Sequence, residues 1–524
     1  MDCDTIIIGS GFGGAVTACR LAERGDRVIV LERGRRWDKK NYPREPDDAW
    51  WWRHDAPETA NGWLELRLFR HIGVAQGAAV GGGSLIYANV SAIPPQHTFA
   101  AGWPPEITWP EMAPHYHTVG KVLNVQTVPD GQWPLRTQLM KDAAQKIGAG
   151  DRFRKLEVAV SFNPKWNYQL KDAIDPKHSE RFDNAYGIKQ GTCVHLGNCY
   201  VGCDVDARNT LDRNYLALAE GKGADIRPLH LVRAIEPSEG GYRVHYQVLG
   251  GDEAHLGSAS ARRVVVAAGS LNSTELLLRC RDDLKTLPQI SDVLGQRWSS
   301  NGDFLTPAKY PERRVNPSQG PTITSAIDFL DRSEGQSSFW IQDGGAPDLI
   351  GNLIRASEKA HPEVRVLLES VRRALAAHGP LEHVMPWFAQ GVDAGDGRLR
   401  LRRRWWLFGP KELTLDWDLR GSRRLFDTII AMHRRLSAAT GGDPVMLPMW
   451  SLDKYLITPH PLGGCDMGRT AQDGVVNHQG EVFGYPGLFV IDGASIPKPL
   501  GVNPSRTIAA VAERAAQLMS AAAR

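Results

Sequence analysis

The stretch TPHPLGGCDMG, residues 458–468, sets one imidazole between two prolines and ahead of two glycines. Pro461 disfavours the helical region at the residue before it, so His460 is expected in extended backbone. Gly463 and Gly464 permit tight turns and close approach to a large flat partner. An imidazole, with an ordinary pKa of about 6.5, can accept or share a proton near neutrality. Further along, Asn503-Pro504 reads as a helix start, with Asn503 at the N-cap and Pro504 at the first helical position. Ile508, Val511, Ala515 and Leu518 follow at helical spacing. The positive end of that helix then lies near Asn503. From the residues alone, His460 reads as a titratable ring on a stiff arm over something bulky.

The elements that must position them begin at the N-terminus. DTIIIGSGFGGAVTACRLAERGDRVIVLERG reads as strand, tight turn, helix, strand. Thr5 to Ile8 suit a buried parallel strand, and Gly9, Gly11 and Gly14 complete G-x-G-x-x-G at its end. The first glycine allows the turn, the second lets a pyrophosphate approach, and the third permits close helix–strand packing. Arg27 to Leu31 are expected to form the second strand, ending at Glu32, whose carboxylate can accept hydrogen bonds from ribose hydroxyls. An acid there disfavours a 2′-phosphate, so FAD or NAD fits better than NADP.

Two later stretches repeat strand, turn and helix. RRVVVAAGSLNSTELLLR places Ala268 and Gly269 after an apolar strand. LFVIDGASIP places Asp492 and Gly493 after another. AAVGGGSLIYANV holds Gly81, Gly82, Gly83 and Ser84, a backbone that can lie against a ring or phosphate.

Together GSGFGG, GGGSLIYANV, VVVAAGSLNSTELLL, HPLGGCDMG, VIDGASIP and GVNPSRTIAAVAER resemble the glucose–methanol–choline (GMC) family of FAD-dependent oxidoreductases, most nearly its cholesterol-oxidase branch. The resemblance implies an α/β fold with a discontinuous, Rossmann-like, three-layer FAD domain (1–90, 200–303 and 470–524). A substrate domain with a mainly antiparallel sheet and helices (91–199 and 304–469) completes it. The resemblance further implies non-covalent FAD and a small hydrophobic alcohol, secondary or cyclic, with sterols among the candidates. Hydride goes to flavin N5, His460 and Asn503 bind the hydroxyl, and O2 or another carrier takes the electrons. Cofactor contacts are implied for Gly9, Gly11, Phe12, Gly13, Gly14, Glu32, Arg33, Gly81–Gly83, Ser84, Asn89, Val232, Ala268, Gly269, Asp492, Gly493, Asn503 and Pro504. That branch also uses a glutamate for double-bond isomerisation. Glu382 stands at a comparable place, although it reads equally well as a solvated residue opening a strand. The same fold hosts lyases and photodecarboxylases, so a non-oxidative reaction is the alternative.

Composition is consistent with this reading. The 524 residues carry 62 Lys+Arg against 59 Asp+Glu, so no charge excess points to nucleic acid. Seven cysteines argue against a secreted disulfide scaffold. The N-terminus shows no export signal and no window reaches the length of a membrane span, so a cytoplasmic protein is expected. Cys193, Cys199 and Cys203 lack the C-x2-C spacing of structural zinc, and their loop is expected to be structural. Trp50, Trp51 and Trp52 read as anchors pinning a loop to the core. HPEVRVLLESVRRALAAHGP is expected to be an amphipathic helix ended by Gly379-Pro380, and SRRLFDTIIAMHRRL a second one capped by Ser422. RLRLRRRWWLFGPKELTLDWD predicts two strands around Gly409-Pro410, with the arginines on an exposed face.

Overall fold

The computed structural model describes residues 1–250, 255–377, 380–403, 411–446 and 448–521. Two sheets organise it. The first has seven strands among the described residues, in the order Asp225–Arg227, Val28–Leu31, Cys3–Ile8, His255–Val266, Gly241–Val248, His230–Ser238, with Leu488–Val490 also paired to His255–Val266. Cys3–Ile8 and Val28–Leu31 run parallel in register Thr5 to Val28, as the glycine-motif unit requires. Three of the six residues in Cys3–Ile8 and all four in Val28–Leu31 are aliphatic and buried, because helices cover the parallel part of the sheet. The strand His255–Val266 serves two neighbourhoods. Its first half pairs antiparallel with Gly241–Val248, and Val264, Val265 and Val266 pair parallel with Leu488–Val490. The helix Phe12–Ala22 packs on this sheet, and the C-terminal helix Ser505–Ala521 packs against that helix.

The second sheet is antiparallel throughout: Asp443–Pro444, Phe304–Lys309, Val384–Gly391, Ser337–Asp343, Ser325–Glu334, Phe153–Lys155. The helices Arg423–Thr440 and Leu135–Lys146 pack on it. In the first of these, Leu425, Phe426, Ile429, Ile430, Met432 and Leu436 are buried, the spacing of one helical face. Strands of the first sheet all fall within 1–90, 200–303 and 470–524, and those of the second within 91–199 and 304–469. The HPLGGCDMG stretch crosses that division. Gly463 N, Cys465 N and Met467 N donate to the carbonyls of Gly493, Ala494 and Ser495, tying it to the cofactor half.

Two capping expectations are corrected. Ser422 precedes its helix but makes no side-chain cap; its hydroxyl accepts from Ala394 N at 2.9 Å. The C-terminal helix begins at Ser505, and the first helical bond runs from Ile508 N to the Pro504 carbonyl. Asn503 therefore lies one position too early to be the cap, and its amide is engaged elsewhere. The hairpin strands Arg398–Arg402 and Glu412–Asp416 form as predicted, while Gly409-Pro410 and Arg404 lie outside the described residues. The helix Pro362–Ala377 is present, and Gly379 also lies outside the described residues. The three tryptophans are buried, Trp50 completely. Trp51 Nε1 donates to the Ala356 carbonyl at 2.9 Å, which pins the loop to the segment ahead of that helix.

Candidate active site

The two sheets enclose one continuous cavity of about 750 Å3. Its cofactor half is walled by the turns after the parallel strands. Gly13 packs so closely that an added Cβ would lie 1.6 Å from the Ile491 carbonyl oxygen. Gly11 behaves oppositely: a Cβ there would meet nothing within 4 Å and would project into open space. Gly83 and Gly269 are open in the same way and line the same cavity. A Cβ-free cradle contributed by three distant turns is what a dinucleotide's pyrophosphate and ring need for backbone approach.

Glu32 is buried and lines this half. One carboxylate oxygen accepts from Ser10 N at 2.9 Å and Ser10 Oγ at 2.7 Å, and the other from Gly34 N at 2.8 Å. These bonds fix its position, and an ionised carboxylate retains lone pairs for ribose hydroxyls. Asp492 ties two turns together. Its Oδ2 accepts from Gly269 N at 2.7 Å and Ser273 Oγ at 2.6 Å, and its Oδ1 from Ala494 N at 2.8 Å. Burial pushes this carboxyl above the ordinary range. The Arg33 guanidinium stacks 3.9 Å from the Trp52 ring and pairs with Glu65 at 2.8 Å. Residues Gly9, Phe12, Gly82, Val232, Ala268, Gly493 and Pro504 also line the cavity. The residues present thus fit an FAD-sized dinucleotide.

Four of the sequence-predicted cofactor residues support the wall rather than form it. Gly14 packs under the Gly9 carbonyl, and Gly81 sits in left-handed backbone at φ 98° against Leu85. Ser84 Oγ donates to the Gly81 carbonyl at 2.7 Å and accepts from Leu211 N at 3.1 Å. Asn89 is fully buried and accepts from Arg208 Nε at 2.9 Å, while Tyr87 lines the cavity in its place. Glu382 lies outside the cavity altogether. It sits on a turn before the strand Val384–Gly391, is 42% exposed, and pairs with Arg314.

Where the halves meet, His460 and Asn503 come together as the sequence predicted. Asn503 Nδ2 lies 3.4 Å from His460 Nε2, and both residues line the cavity. Their supports were not foreseen. Asp303, just ahead of the strand Phe304–Lys309, is buried and places its two oxygens 2.9 and 3.0 Å from His460 Nδ1. Thr458 Oγ1 lies 2.5 Å from Asp303 Oδ2 and accepts from His460 N at 2.9 Å. Gln342 Nε2 donates to Asn503 Oδ1 at 2.8 Å. Gln390 Nε2 lies 3.1 Å from His460 Nδ1, its own oxygen held by Trp340 Nε1 at 2.7 Å. A signal for one of the two amides was present: Gln390 is the lone polar side chain in the strand VMPWFAQG, and a buried amide needs a partner. Nothing comparable marks Asp303, which pairs with His460 across 157 residues.

The remaining cavity wall carries charged groups, Arg67, Arg233, Glu275 and Arg279 among them, and an apolar stretch. Phe304, Leu305, Phe388, Met449 and Trp450 line it from the second sheet and from the helix Pro448–Asp453. The cysteine loop lends Tyr200 and Val201 to the cavity wall, while Cys193, Cys199 and Cys203 do not line it. Among the described residues no group of three or more His, Cys, Asp or Glu is arranged to hold a metal. His195 is buried there, stacked on Trp166 at 4.1 Å and bonded to Tyr168 and Gln132, and burial depresses its pKa to about 3. Among the described residues no helix is long and apolar enough to cross a membrane.

Comparison with known proteins agrees with this geometry. Residues 417–512 match the GMC oxidoreductase C-terminal model, and residues 7–37 match the NAD(P)-binding Rossmann-like domain. A cholesterol oxidase of Acinetobacter baumannii is 32% identical, covering 98% of this chain and 94% of its own. One from Mycobacterium tuberculosis (strain H37Rv) is 31% identical, covering 99% and 91%. The crystal structure of pyridoxine 4-oxidase from Mesorbium loti has the same fold at 16% identity, with a TM-score of 0.62 over 99% of both chains. A glycine cradle from three distant turns, an imidazole–amide pair at its edge and these relatives lead to one assignment: the chain belongs to the GMC oxidoreductase family, as an FAD-dependent alcohol oxidoreductase of the cholesterol-oxidase-like branch.

Proposed function

We propose that the protein oxidises a hydrophobic secondary or ring alcohol to the carbonyl compound, with sterols among the candidate substrates. Non-covalent FAD, held by the glycine turns, Glu32, Val232 and Asp492, supplies the acceptor for the hydride. The residues of the chain do the rest. His460 Nε2 and Asn503 Nδ2 flank one position at the cavity surface, where both can reach a hydroxyl oxygen. Asn503 donates to that oxygen and His460 takes its proton, so the carbon–oxygen double bond can form as hydride departs. Gln342 keeps the Asn503 amide facing His460, and the apolar wall from Phe304 to Trp450 excludes water and seats a hydrocarbon skeleton. The observation that carries this reading is the imidazole–amide pair opening onto a cavity that also has an apolar stretch of wall. The names of the full-length relatives, cholesterol oxidases, support the substrate class. Double-bond migration is not part of the proposal, because Glu382 stands on an exposed turn away from the cavity.

The test is anaerobic bleaching of the bound flavin by a panel of cholesterol, a terpenoid alcohol, a long-chain primary alcohol, benzyl alcohol and glucose. Bleaching by the sterol or terpenoid in preference to glucose is expected. Bleaching by glucose alone would overturn the substrate class, and no bleaching by any member would favour a non-oxidative reaction. Peroxide release against dye reduction, measured with the same alcohol, separates O2 from another carrier as acceptor.

A further inference from the structure

We propose that Asp303 is a positioning residue for His460: its buried carboxylate accepts the Nδ1 proton, fixes the tautomer that leaves the Nε2 lone pair facing the cavity, and stabilises the imidazolium formed when that lone pair takes the substrate's proton. The proposal rests on His460 being the proton acceptor, and it adds the group that makes it one.

Two neighbours compete for Nδ1. The Asp303 oxygens, at 2.9 and 3.0 Å, can only accept when ionised, which requires a proton on Nδ1. The Gln390 amide nitrogen, at 3.1 Å, can only donate, which requires Nδ1 to be bare. The other ring nitrogen decides between them. Gln342 occupies Asn503 Oδ1, so Asn503 presents its NH2 group to His460 Nε2. A donor facing Nε2 and an acceptor facing Nδ1 select the same tautomer, with the proton on Nδ1. The Asp303 side chain is fully shielded from solvent, and one of its oxygens is also within hydrogen-bonding distance of the Thr458 hydroxyl. A carboxylate so buried gains more from an adjacent positive charge than a surface one does.

The proton balance is simple. The alcohol O–H bond breaks, the proton goes to Nε2, and Nδ1 keeps its own, giving an imidazolium–carboxylate pair. Burial alone pushes the Asp303 carboxyl up, and His460 and Thr458 pull it back. Among the other titratable and charged groups on the cavity wall are Tyr200 and Tyr87, both raised by burial, Asp492, Glu32, His54 and the Arg67–Glu275 pair. Phe388, whose ring centroid is 6.3 Å from that of His460, brings no charge.

The experiment uses the FAD-loaded full chain labelled with 15N-histidine, and identifies the His460 signals by their loss in His460→Gln. Long-range 1H–15N spectra read the tautomer without substrate, so the result stands apart from the identity of the alcohol. The expected spectrum shows Nδ1 protonated and Nε2 bare in the neutral ring. A wild-type ring protonated on Nε2 overturns the proposal, and this holds even where a variant fails to fold. In Asp303→Asn the amide oxygen can still accept from Nδ1, but the charge is gone. The acid limb of flavin reduction by the panel's best alcohol is then expected to move to lower pH by about one to two pH units. Asp303→Ala should lose more kcat than Asp303→Asn, with the flavin still bound. An acid limb that stays in place in Asp303→Asn assigns the carboxylate a packing role only and sinks the proposal.

Discussion

The Cβ position of Gly13 and the carbonyl oxygen of Ile491 are 1.6 Å apart, although 478 residues separate them. The contact locks the first helix of the nucleotide-binding unit onto the C-terminal strand, so both ends of the chain build one cofactor wall. Two neighbouring glycines therefore fail differently when altered. Gly13→Ala has nowhere to put its methyl group except backbone, and the expected result is loss of soluble, folded protein. Gly11→Ala meets no protein atom and should fold with a near-normal melting temperature, while the methyl group occupies the space needed for the pyrophosphate. Flavin absorbance per chain separates the two, and a fully yellow Gly11→Ala would contradict the cradle.

His460 sits at the cavity surface, with its ring packed near Phe388 and not among the glycine turns. His460→Ala should keep its yellow colour and lose about 10²- to 10⁴-fold in flavin reduction, the usual contribution of a positioned acid–base group. Loss of flavin from the purified variant would mean that the ring supports the cofactor half instead.

Gln342 touches Asn503 but does not line the cavity. Gln342→Leu removes the donor that orients the Asn503 amide, at a cost of about 1 kcal/mol. Alcohol-dependent reduction is expected to slow about tenfold with flavin content unchanged. Equal rates for variant and wild type would show that Asn503 orients itself.

Asp466 follows the two glycines of the HPLGGC stretch and is buried. Burial raises its carboxyl to about 8 despite the Arg297 guanidinium, 2.8 Å away. Between about pH 4 and pH 8 the folded chain thus holds a proton that the unfolded chain has released. Stability must fall as pH rises through that window. Asp466→Asn keeps an acceptor for Gly464 N and carries no charge, so its melting temperature should decline less than that of the wild type between pH 5 and pH 8. Parallel pH curves for the two proteins would contradict a protonated Asp466.

The meeting of His460 with Asn503 was implied by the family resemblance. Acting on local chain rules, the sequence by itself determined the glycine turns, the parallel strands around them and the Glu32 carboxylate. Each of these is a short-range pattern with a fixed spacing, so the residues announce their own geometry. Tertiary structure alone decided which side chains stand behind the pair. Gln342 and Gln390 come from two strands of a second sheet and Asp303 from the residue just ahead of a third, and their register across that sheet is set by packing, not by any spacing in the chain. The same is true of the reassigned residues. Asn503 carries the residue type of a helix cap, yet the helix starts one turn position later and leaves its amide to Gln342 and His460. Glu382 and Asn89 each carry a plausible residue type, but an exposed turn and a buried arginine take them out of the cavity. Chemistry that depends on one residue and its immediate neighbours is written along the chain. Chemistry that depends on a partner 157 residues away exists only once the two sheets close on each other.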